Sequence, residues 1–406
     1  MGRARDTIRA IMRQRRARQA TGRTAGTGVS SAMPPSLAAR QAAEAAMQAG
    51  GLRSADLVIL FATPHYLGGF GQLHEQISQT CGTDRIVGCS ASGLISEAGE
   101  IEGSPALGLM AIGGVQDSLS AWLAPVDRDQ IGLLARGVKA QTDRASAVVL
   151  LAGLAASPSA VVEALDRPDG PMIVGAAASG SPIGPQTFEW CGGELMQDGL
   201  AGINVGADLS LVVGVAQGCQ PLGEPLLVTR GEGNVIREIG FRPAVQVLRE
   251  AIEALPEADR ARLRGGMFIG LVADEYKPTL GRGDFLVRNI VGMDPESGAI
   301  AVGDSIRVGQ SVQFQLRDAQ AAHQDLAQML DELAPQVDDQ PPRFGLYFNC
   351  LGRGRALYGQ ADHDVTMIRD RLDALPLLGF FGNAELAPLA GRNRVHNYTG
   401  VLVLAR

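Results

Sequence analysis

The sequence has few aromatic residues, few cysteines and no long apolar run. Phe, Trp and Tyr make up 4% of its 406 residues, which argues against the aromatic platforms on which nucleic-acid bases stack. Five cysteines without paired spacing or a secretory signal indicate reduced thiols in the cytoplasm, not a disulfide framework. The longest run of apolar residues and glycine, residues 147–156, is far shorter than the roughly 20 residues that a membrane helix needs. We therefore expect a cytoplasmic protein that is not an integral membrane protein.

Standard catalytic and metal motifs are also missing from the sequence. There is no Gly-x4-Gly-Lys-Ser/Thr phosphate loop, no His-Glu-x-x-His zinc helix and no Gly-x-Ser-x-Gly nucleophile elbow. Gly352-x-Gly354 follows a strand as a dinucleotide loop does, but Leu357 stands where the third glycine belongs. The five histidines are scattered, and no cysteine pair has zinc spacing. We predict no cofactor, no metal and no enzymatic activity.

Charge is distributed unevenly along the chain. The net charge is −7, yet residues 1–23 hold eight Arg and one Asp, so the rest of the chain is strongly acidic. An acidic body repels nucleic-acid and membrane phosphates, which excludes nucleic acid as an expected partner. Residues 1–35 add a Gly/Thr/Ser run and a Pro-Pro pair to the clustered arginines, and this composition predicts a disordered basic tail.

A pattern of strand, helix, strand and trailing strand occurs three times. The first strands are predicted at residues 57–62, 147–152 and 344–348, the second strands end near Gly88, Gly175 and Gly379, and the trailing strands lie at residues 106–112, 200–205 and 401–404. Each first strand is about 27 to 34 residues from its glycine, the length of a β-helix-β crossover. The fold class is therefore α/β, with α+β as the alternative: mixed sheets with crossover helices, built from about three β-α-β-β units.

The chain between the second and third units predicts a division into two domains. Antiparallel strands at residues 210–216, 226–229 and 235–239 precede Pro243, which opens a helix with one apolar face. We place the domain boundary there. Residues 36–242 form the predicted N-terminal domain and residues 243–406 the C-terminal domain.

Polar residues collect where the strands of the third unit end. We expect these side chains to meet at one edge of the sheet and to line a pocket for a small ligand. The candidate ligand-binding residues are Cys350, Gly352, Arg353, Gly354, Asn383, Glu385, His396, Asn397 and Thr399.

Each of these side chains has a binding role and a structural alternative. The planar guanidinium of Arg353 suits a ligand carboxylate, and Glu385 suits an ammonium group, so together they match an amino acid. Alternatively, Arg353 and Glu385 form a salt bridge that ties two loops together. Cys350 is either a nucleophile with His396 as its base or a buried small hydrophobe. The Asn and Thr side chains either bind a ligand or cap turns.

These motifs resemble the FIST sensory family. The matching C-terminal motifs are Cys350-x-Gly352-Arg353-Gly354, Gly379-Phe-Phe-Gly-Asn-Ala-Glu385 and His396-Asn-Tyr-Thr-Gly400. Upstream, the segments Gly218-Cys219-x-Pro221, Gly240-x-Arg242-Pro243-Ala244 and Gly88-Cys89-Ser90-x-x-Gly93 are also similar to the family, so the resemblance covers roughly residues 55–406.

The resemblance implies a cytoplasmic signal-transduction protein that binds a small ligand, such as an amino acid or a small carboxylate. It implies no established reaction. No output domain pattern accompanies the units, so we expect a separate signalling partner protein. Two alternatives remain open: a cysteine-dependent hydrolase or transferase that uses Cys350, and a protein-interaction scaffold.

Overall fold

A computed structural model of the chain describes residues 24–126, 138, 142, 145–180, 186–260, 263, 266–373 and 375–406. The larger part of the predicted tail, residues 1–23, lies outside these residues. The first strand, β1, spans Ala25–Ser30 and is almost entirely buried, so the prediction of disorder is wrong for this part of residues 1–35. Its glycines explain the difference. A Cβ at Gly26 or Gly28 would overlap the backbone of the alanine-rich helix that follows, so the small residues permit close packing.

The first repeat continues from β1 through two helices and five strands. Its elements are α1 (Pro35–Gly50), β2 (Leu57–Ala62), α2 (Phe70–Cys81), β3 (Ile86–Ser90), β4 (Gly93–Ser96), β5 (Gly99–Glu102) and β6 (Leu107–Ile112), with a 3-10 helix at Pro64–Gly69. Strand β2 pairs in parallel with β3 and antiparallel with β6. This confirms the predicted β-α-β-β unit.

The second repeat has the same order of elements from its second strand onward. They are β7 (Leu119–Ala124), β8 (Ala147–Ala152), a 3-10 helix (Leu154–Ala156), α3 (Pro158–Leu165), β9 (Met172–Ala177), β10 (Phe188–Cys191), β11 (Glu194–Gln197) and β12 (Leu200–Val205). Strand β8 pairs in parallel with β9 and antiparallel with β12, as β2 does with its neighbours.

The third repeat begins with β13 (Leu211–Gln217) and is interrupted by a barrel. The inserted elements are β14 (Cys219–Glu232), β15 (Val235–Ile239), β16 (Arg242–Pro243), α4 (Ala244–Glu253), α5 (Glu257–Arg260), β17 (Met267–Val272), β18 (Phe285–Asp294), β19 (Ala299–Val302) and β20 (Ser311–Arg317). Because β14 pairs with both β20 and β15, six of these strands close into a barrel, and β16 adds to β15. Apolar side chains of α4 and of the barrel strands form its core.

The chain then returns to complete the third repeat. Its remaining elements are α6 (Ala319–Val337), β21 (Phe344–Cys350), α7 (Arg355–Tyr358), α8 (His363–Leu372), β22 (Leu377–Gly382), β23 (Ala384–Leu389), β24 (Arg392–His396) and β25 (Thr399–Ala405). Strand β21 pairs in parallel with β22 and antiparallel with β25. All three predicted units are thus confirmed.

The three repeats exchange hairpins in a cycle, which the sequence did not predict. The β10–β11 hairpin joins the sheet of the first repeat, β23–β24 joins that of the second, and β4–β5 joins that of the third. Each of the three resulting sheets has six strands in the same spatial order. One apolar core draws on all three sheets, and the helices cover their outer faces. Several pairings, such as that of β4 with β22, cross the predicted domain boundary at residues 242 and 243, which itself stays a prediction.

Candidate functional site

The predicted site residues lie at and near the ends of two parallel strands of the third repeat. Strand β21 ends at Cys350, and the adjacent β22 ends at Gly382. Because the two strands are parallel, the segments that follow them leave the sheet at the same edge. The predicted residues of these segments and of the β23–β25 turns make the contacts described below, but whether they bind a ligand stays a prediction.

Arg353 is buried and forms an ion pair with Asp364, a residue that the sequence analysis missed. The Arg353 side chain is 1% exposed and that of Asp364 is 0% exposed. Arg353 Nε and Nη2 donate to Asp364 Oδ2 at 3.2 and 3.1 Å. Nη2 also donates to the Tyr358 hydroxyl at 2.7 Å. The alternative in which Arg353 bridges to Glu385 is therefore wrong.

Further hydrogen bonds hold the Asp364 carboxylate. Tyr347 Oη and Asn349 Nδ2 donate to Oδ2 at 2.9 and 3.1 Å, and His363 Nδ1 lies 2.8 Å from Oδ1. Burial by itself raises the pKa of Asp364, but the Arg353 charge and the hydrogen bonds from His363 and Tyr347 outweigh it and leave this pKa below its usual range. Asp364 is therefore ionised, and the guanidinium of Arg353 is already occupied within the protein.

Glu385 is fully buried, and hydrogen bonds are made by one of its two carboxylate oxygens. Its Oε2 accepts hydrogen bonds from the hydroxyl of Thr399 at 2.8 Å and from the backbone N–H of Thr399 at 3.3 Å. Its Oε1 has no hydrogen-bond partner among the described residues. Burial raises the pKa of Glu385 to about 8, although the Thr399 hydrogen bonds and the Arg353 charge lower it in part. At neutral pH Glu385 is thus mostly protonated, and it offers a hydrogen bond rather than a negative charge.

Cys350 and His396 are not arranged as a nucleophile and its base. Burial, followed by the nearby Glu385, raises the pKa of the Cys350 thiol to about 12, so the thiolate is scarce. His396 Nε2 is hydrogen-bonded to the Ala387 carbonyl at 3.1 Å, and burial lowers its pKa to about 4. The geometry therefore favours the structural role of Cys350.

The two predicted glycines, Gly352 and Gly354, allow neighbouring side chains to lie close to the backbone. A Cβ at Gly352 would lie 3.2 Å from the Tyr398 ring and 3.3 Å from Arg317 Nη1. Gly354 has a φ of 61°, and a Cβ there would also lie 2.9 Å from the Glu102 carboxylate. Both positions therefore favour glycine for packing reasons.

The two predicted asparagines make structural hydrogen bonds. Asn383 Nδ2 donates to the Ala178 carbonyl of the second repeat at 2.5 Å. Asn397 Oδ1 accepts from Arg288 Nη1 of the barrel at 3.4 Å. Each asparagine thus joins the third repeat to a neighbouring part of the molecule.

A cavity of about 480 Å³ lies between the barrel and the turn that carries Tyr398. Its lining is mostly apolar, with Asn289 and Tyr398 as the polar members: Leu248, Ile252, Leu263, Gly266, Met267, Phe268, Asn289, Ile290, Met293 and Tyr398. Tyr398 Oη donates to Asn289 Oδ1 at 2.6 Å, and its ring packs on Phe268 with centroids 4.4 Å apart. The cavity is thus close to the predicted site, but the inserted barrel segment supplies all of its lining except Tyr398.

Tyr398 connects this cavity to the buried polar residues. Its backbone is hydrogen-bonded to the Cys350 sulfur, and the next residue, Thr399, binds Glu385. Its φ of 63° is in the left-handed region, where a tyrosine is strained. Tyr398 belongs to the motif His396-Asn-Tyr-Thr-Gly400 but was not among the predicted site residues. A positive φ cannot be read from a tyrosine, so its only signal was an aromatic residue in a chain that has few.

Comparison with known proteins agrees with these features. A family model described as the FIST N domain matches residues 56–242, and one described as the FIST C domain matches residues 244–388. The chain belongs to the FIST family. Uncharacterized protein Rv0628c of Mycobacterium tuberculosis is 34% identical to this FIST protein over 384 residues, which cover 93% of this chain and 98% of the relative. Uncharacterized protein Mb0898c of Mycobacterium bovis is 33% identical over 376 residues, 90% of this chain and 95% of the relative.

None of the helices within the described residues is long and apolar enough to cross a membrane.

Proposed function

We propose that this FIST protein is a non-enzymatic cytoplasmic sensor that binds a small molecule in the cavity beside Tyr398 and signals to a separate partner protein. The observation that carries the proposal is the cavity itself. Its volume of about 480 Å³ is in the range of small-molecule sites, which are mostly apolar and carry a few polar groups that orient the ligand. The FIST domains support a sensory role for the chain as a whole.

The lining favours a ligand with an apolar body and one hydrogen-bonding group. The apolar side chains of Ile252, Ile290 and Phe268 suit the body. Asn289 Oδ1 accepts the Tyr398 hydroxyl, which leaves the N–H groups of the Asn289 amide as donors for a carboxylate or carbonyl oxygen. An amino acid with an apolar side chain, or the corresponding small carboxylate, fits this description.

Tyr398 is the residue through which occupancy would be transmitted. Its ring lines the cavity, and its backbone contacts Cys350. A ligand that moves the ring also moves the turn that precedes β25, because the residue holds a strained conformation. The expected consequence is a change at the buried Glu385 and Arg353 cluster, and from there at the outer surface of the third repeat.

The experiment is a thermal-shift and calorimetry screen with apolar amino acids and their des-amino carboxylates. A compound at 100 times its dissociation constant should add about 2.7 kcal/mol to the free energy of unfolding. Ile290→Trp, which fills the cavity, should abolish the shift. Val291→Trp is the matched control, because Val291 follows on the same strand, is 59% exposed and does not line the cavity. A panel without any shift, or a shift that survives Ile290→Trp, would reject the proposal.

A further inference from the structure

Two histidines from different helices face each other on the outer side of the third repeat. His323 is on α6 and His363 begins α8, and these helices pack side by side over the sheet. His323 Nδ1 lies 3.0 Å from His363 Nε2. The ring centroids are 5.2 Å apart, with the planes at 67°. The proposed function does not use either residue.

His363 is held in a fixed orientation by two contacts. Its Nδ1 lies 2.8 Å from Asp364 Oδ1, and the Tyr358 ring stacks on it with centroids 3.6 Å apart. The carboxylate of Asp364 is paired with Arg353 and can only accept, so Nδ1 of His363 carries the proton. The other nitrogen, Nε2, therefore presents its lone pair toward His323.

We propose that His323 and His363 bind a divalent transition metal ion of the zinc class between their facing nitrogens. Zinc binds imidazole nitrogen at about 2.0–2.1 Å, which places two tetrahedral ligands about 3.3–3.4 Å apart. The observed separation of 3.0 Å needs only a small outward movement, and the side chain of His323 is exposed and free to make it. On binding, the proton of His323 moves from Nδ1 to Nε2 or to water.

Asp364 supplies the support that metal-binding histidines commonly have. A histidine ligand usually donates its second N–H to a carboxylate, which fixes the ring and its tautomer. Asp364 makes this contact with His363, and its own position is fixed by Arg353, Tyr347 and Asn349. The site thus connects the exposed surface to the buried cluster.

Water or an exogenous donor completes the coordination shell. Over the part of the chain that the structure describes, no group of three or more His, Cys, Asp or Glu side chains is placed to hold a metal. A site with two protein ligands has open positions and moderate affinity. Imidazole ligands suit Zn²⁺, Cu²⁺ and Ni²⁺, and the expected order of affinity places Cu²⁺ first.

Calorimetric titration of the full-length, tag-free protein with ZnCl₂ tests the proposal. We expect saturable binding of one Zn²⁺ per chain, weakened at least tenfold by His323→Ala and by His363→Ala. His65→Ala is the control, because it removes an exposed imidazole on the first repeat. With Cu²⁺, electron paramagnetic resonance should detect two nitrogen ligands in the wild type and one in His323→Ala.

His323→Ala decides the outcome because it removes an exposed side chain and leaves the contact between His363 and Asp364 intact. Absence of saturable Zn²⁺ binding in the wild type overturns the proposal. Binding that His323→Ala leaves unchanged, or that His65→Ala weakens equally, also overturns it.

Discussion

The second and third repeats have the same scaffold but differ in what they carry at the strand ends. In both, a glycine of the second strand lies so close to the first strand that a Cβ would overlap a carbonyl oxygen: Gly175 against Leu150 and Gly379 against Tyr347. The first strand then ends at Ala152 in the second repeat and at Cys350 in the third. The third repeat continues into Arg353 and its ion pair. The comparison teaches that the scaffold comes from the strands, whereas the polar cluster comes from the loops added to one copy.

A pair of buried glutamates extends the comparison. Glu189 of β10 and Glu385 of β23 lie on exchanged hairpins, opposite Cys89 of β3 and Ala176 of β9, at matching positions of their sheets. Both are fully buried, both have one oxygen without a partner among the described residues, and burial raises the pKa of each to about 8. The second and third repeats thus both have a buried acid, and the third repeat also has Arg353 near it.

The largest expected effect comes from removing that cation. Arg353→Met leaves the Asp364 carboxylate buried without its partner, so we expect the free energy of unfolding to fall by about 3–5 kcal/mol. Denaturant unfolding measures the loss. Arg371→Met is the control on the same helix as Asp364, because its ion pair with Asp331 is exposed and contributes little. Equal losses in the two variants would contradict the assignment of the buried pair as the distinguishing feature of the third repeat.

The shared scaffold predicts similar penalties at the paired glycines. We expect Gly379→Ala and Gly175→Ala each to lower the free energy of unfolding by about 1–3 kcal/mol, because the new Cβ meets backbone that cannot move aside. Gly175 also has a φ of 138°, which adds strain. Gly71→Ala in α2 is the control, since no heavy atom lies within 4 Å of its Cβ position. If either variant is as stable as the wild type, the close approach is not a common element of the repeats.

The buried glutamates predict a pH dependence of stability. Each has a pKa that folding raises from 4.5 to about 8, so the folded state keeps a proton that the unfolded state releases. Their contribution is present in full below pH 4.5 and declines as pH rises toward 8. Glu385→Gln and Glu189→Gln should each make this decline shallower, by at most about 1.4 kcal/mol per pH unit.

Unfolding is measured between pH 6.5 and 8, where Glu100, whose pKa burial raises to about 7, also titrates. The difference between each variant and the wild type isolates Glu189 or Glu385, because Glu100 is common to all three proteins. Burial lowers the pKa of His396 from 6.5 to about 4, so its opposite contribution is complete above pH 6.5. If neither substitution changes the slope of the unfolding free energy against pH, the raised pKa values of Glu189 and Glu385 are contradicted. A change in one variant alone would show that the two repeats differ at this position as well.

The smallest effect is expected at Cys350. The register of Gly175 against Leu150 and of Gly379 against Tyr347 matches Cys350 to Gly153 of the second repeat. Cys350→Ala moves the third repeat toward that smaller residue, so stability should change little. The affinity for a ligand found by the screen should stay within about tenfold of the wild-type value. A cysteine-dependent enzyme would instead lose turnover by several orders of magnitude. That loss, measured as product formation from any substrate, would reject the sensor in favour of the hydrolase or transferase.

Local patterns predicted the repeats but not how they combine. The apolar strands that precede Gly88, Gly175 and Gly379 correctly predicted three units, because a buried strand is a run of apolar residues and a close approach requires glycine. The hairpin exchange has no comparable sequence signal. Alternation along β4 indicates which side chains are buried, but not that β22, far along the chain, is its partner. Two barrel strands, at residues 226–229 and 235–239, were predicted as antiparallel, yet their place inside the third repeat depends on pairings of distant segments.

The cavity could not be predicted from local patterns either, whereas Asp364 could have been. Asp364, Ile368 and Leu372 are spaced four apart, so the helical period places the carboxylate on the apolar face, where it needs a cation. This signal could have identified Asp364 as the partner of Arg353. No comparable signal existed for the cavity, because Tyr398 and Phe268 come from distant segments that meet only in the folded chain.

The barrel leaves and rejoins the third repeat at a single point. Cys219 lies opposite Arg317, and the Gly218 carbonyl accepts a hydrogen bond from the Asp318 N–H at 3.2 Å. An insertion whose two ends touch can lengthen, shorten or be exchanged for another module without disturbing the three-sheet body that hosts it. If the cavity binds a small molecule as proposed, its lining can therefore diverge between relatives while the surrounding architecture stays constant.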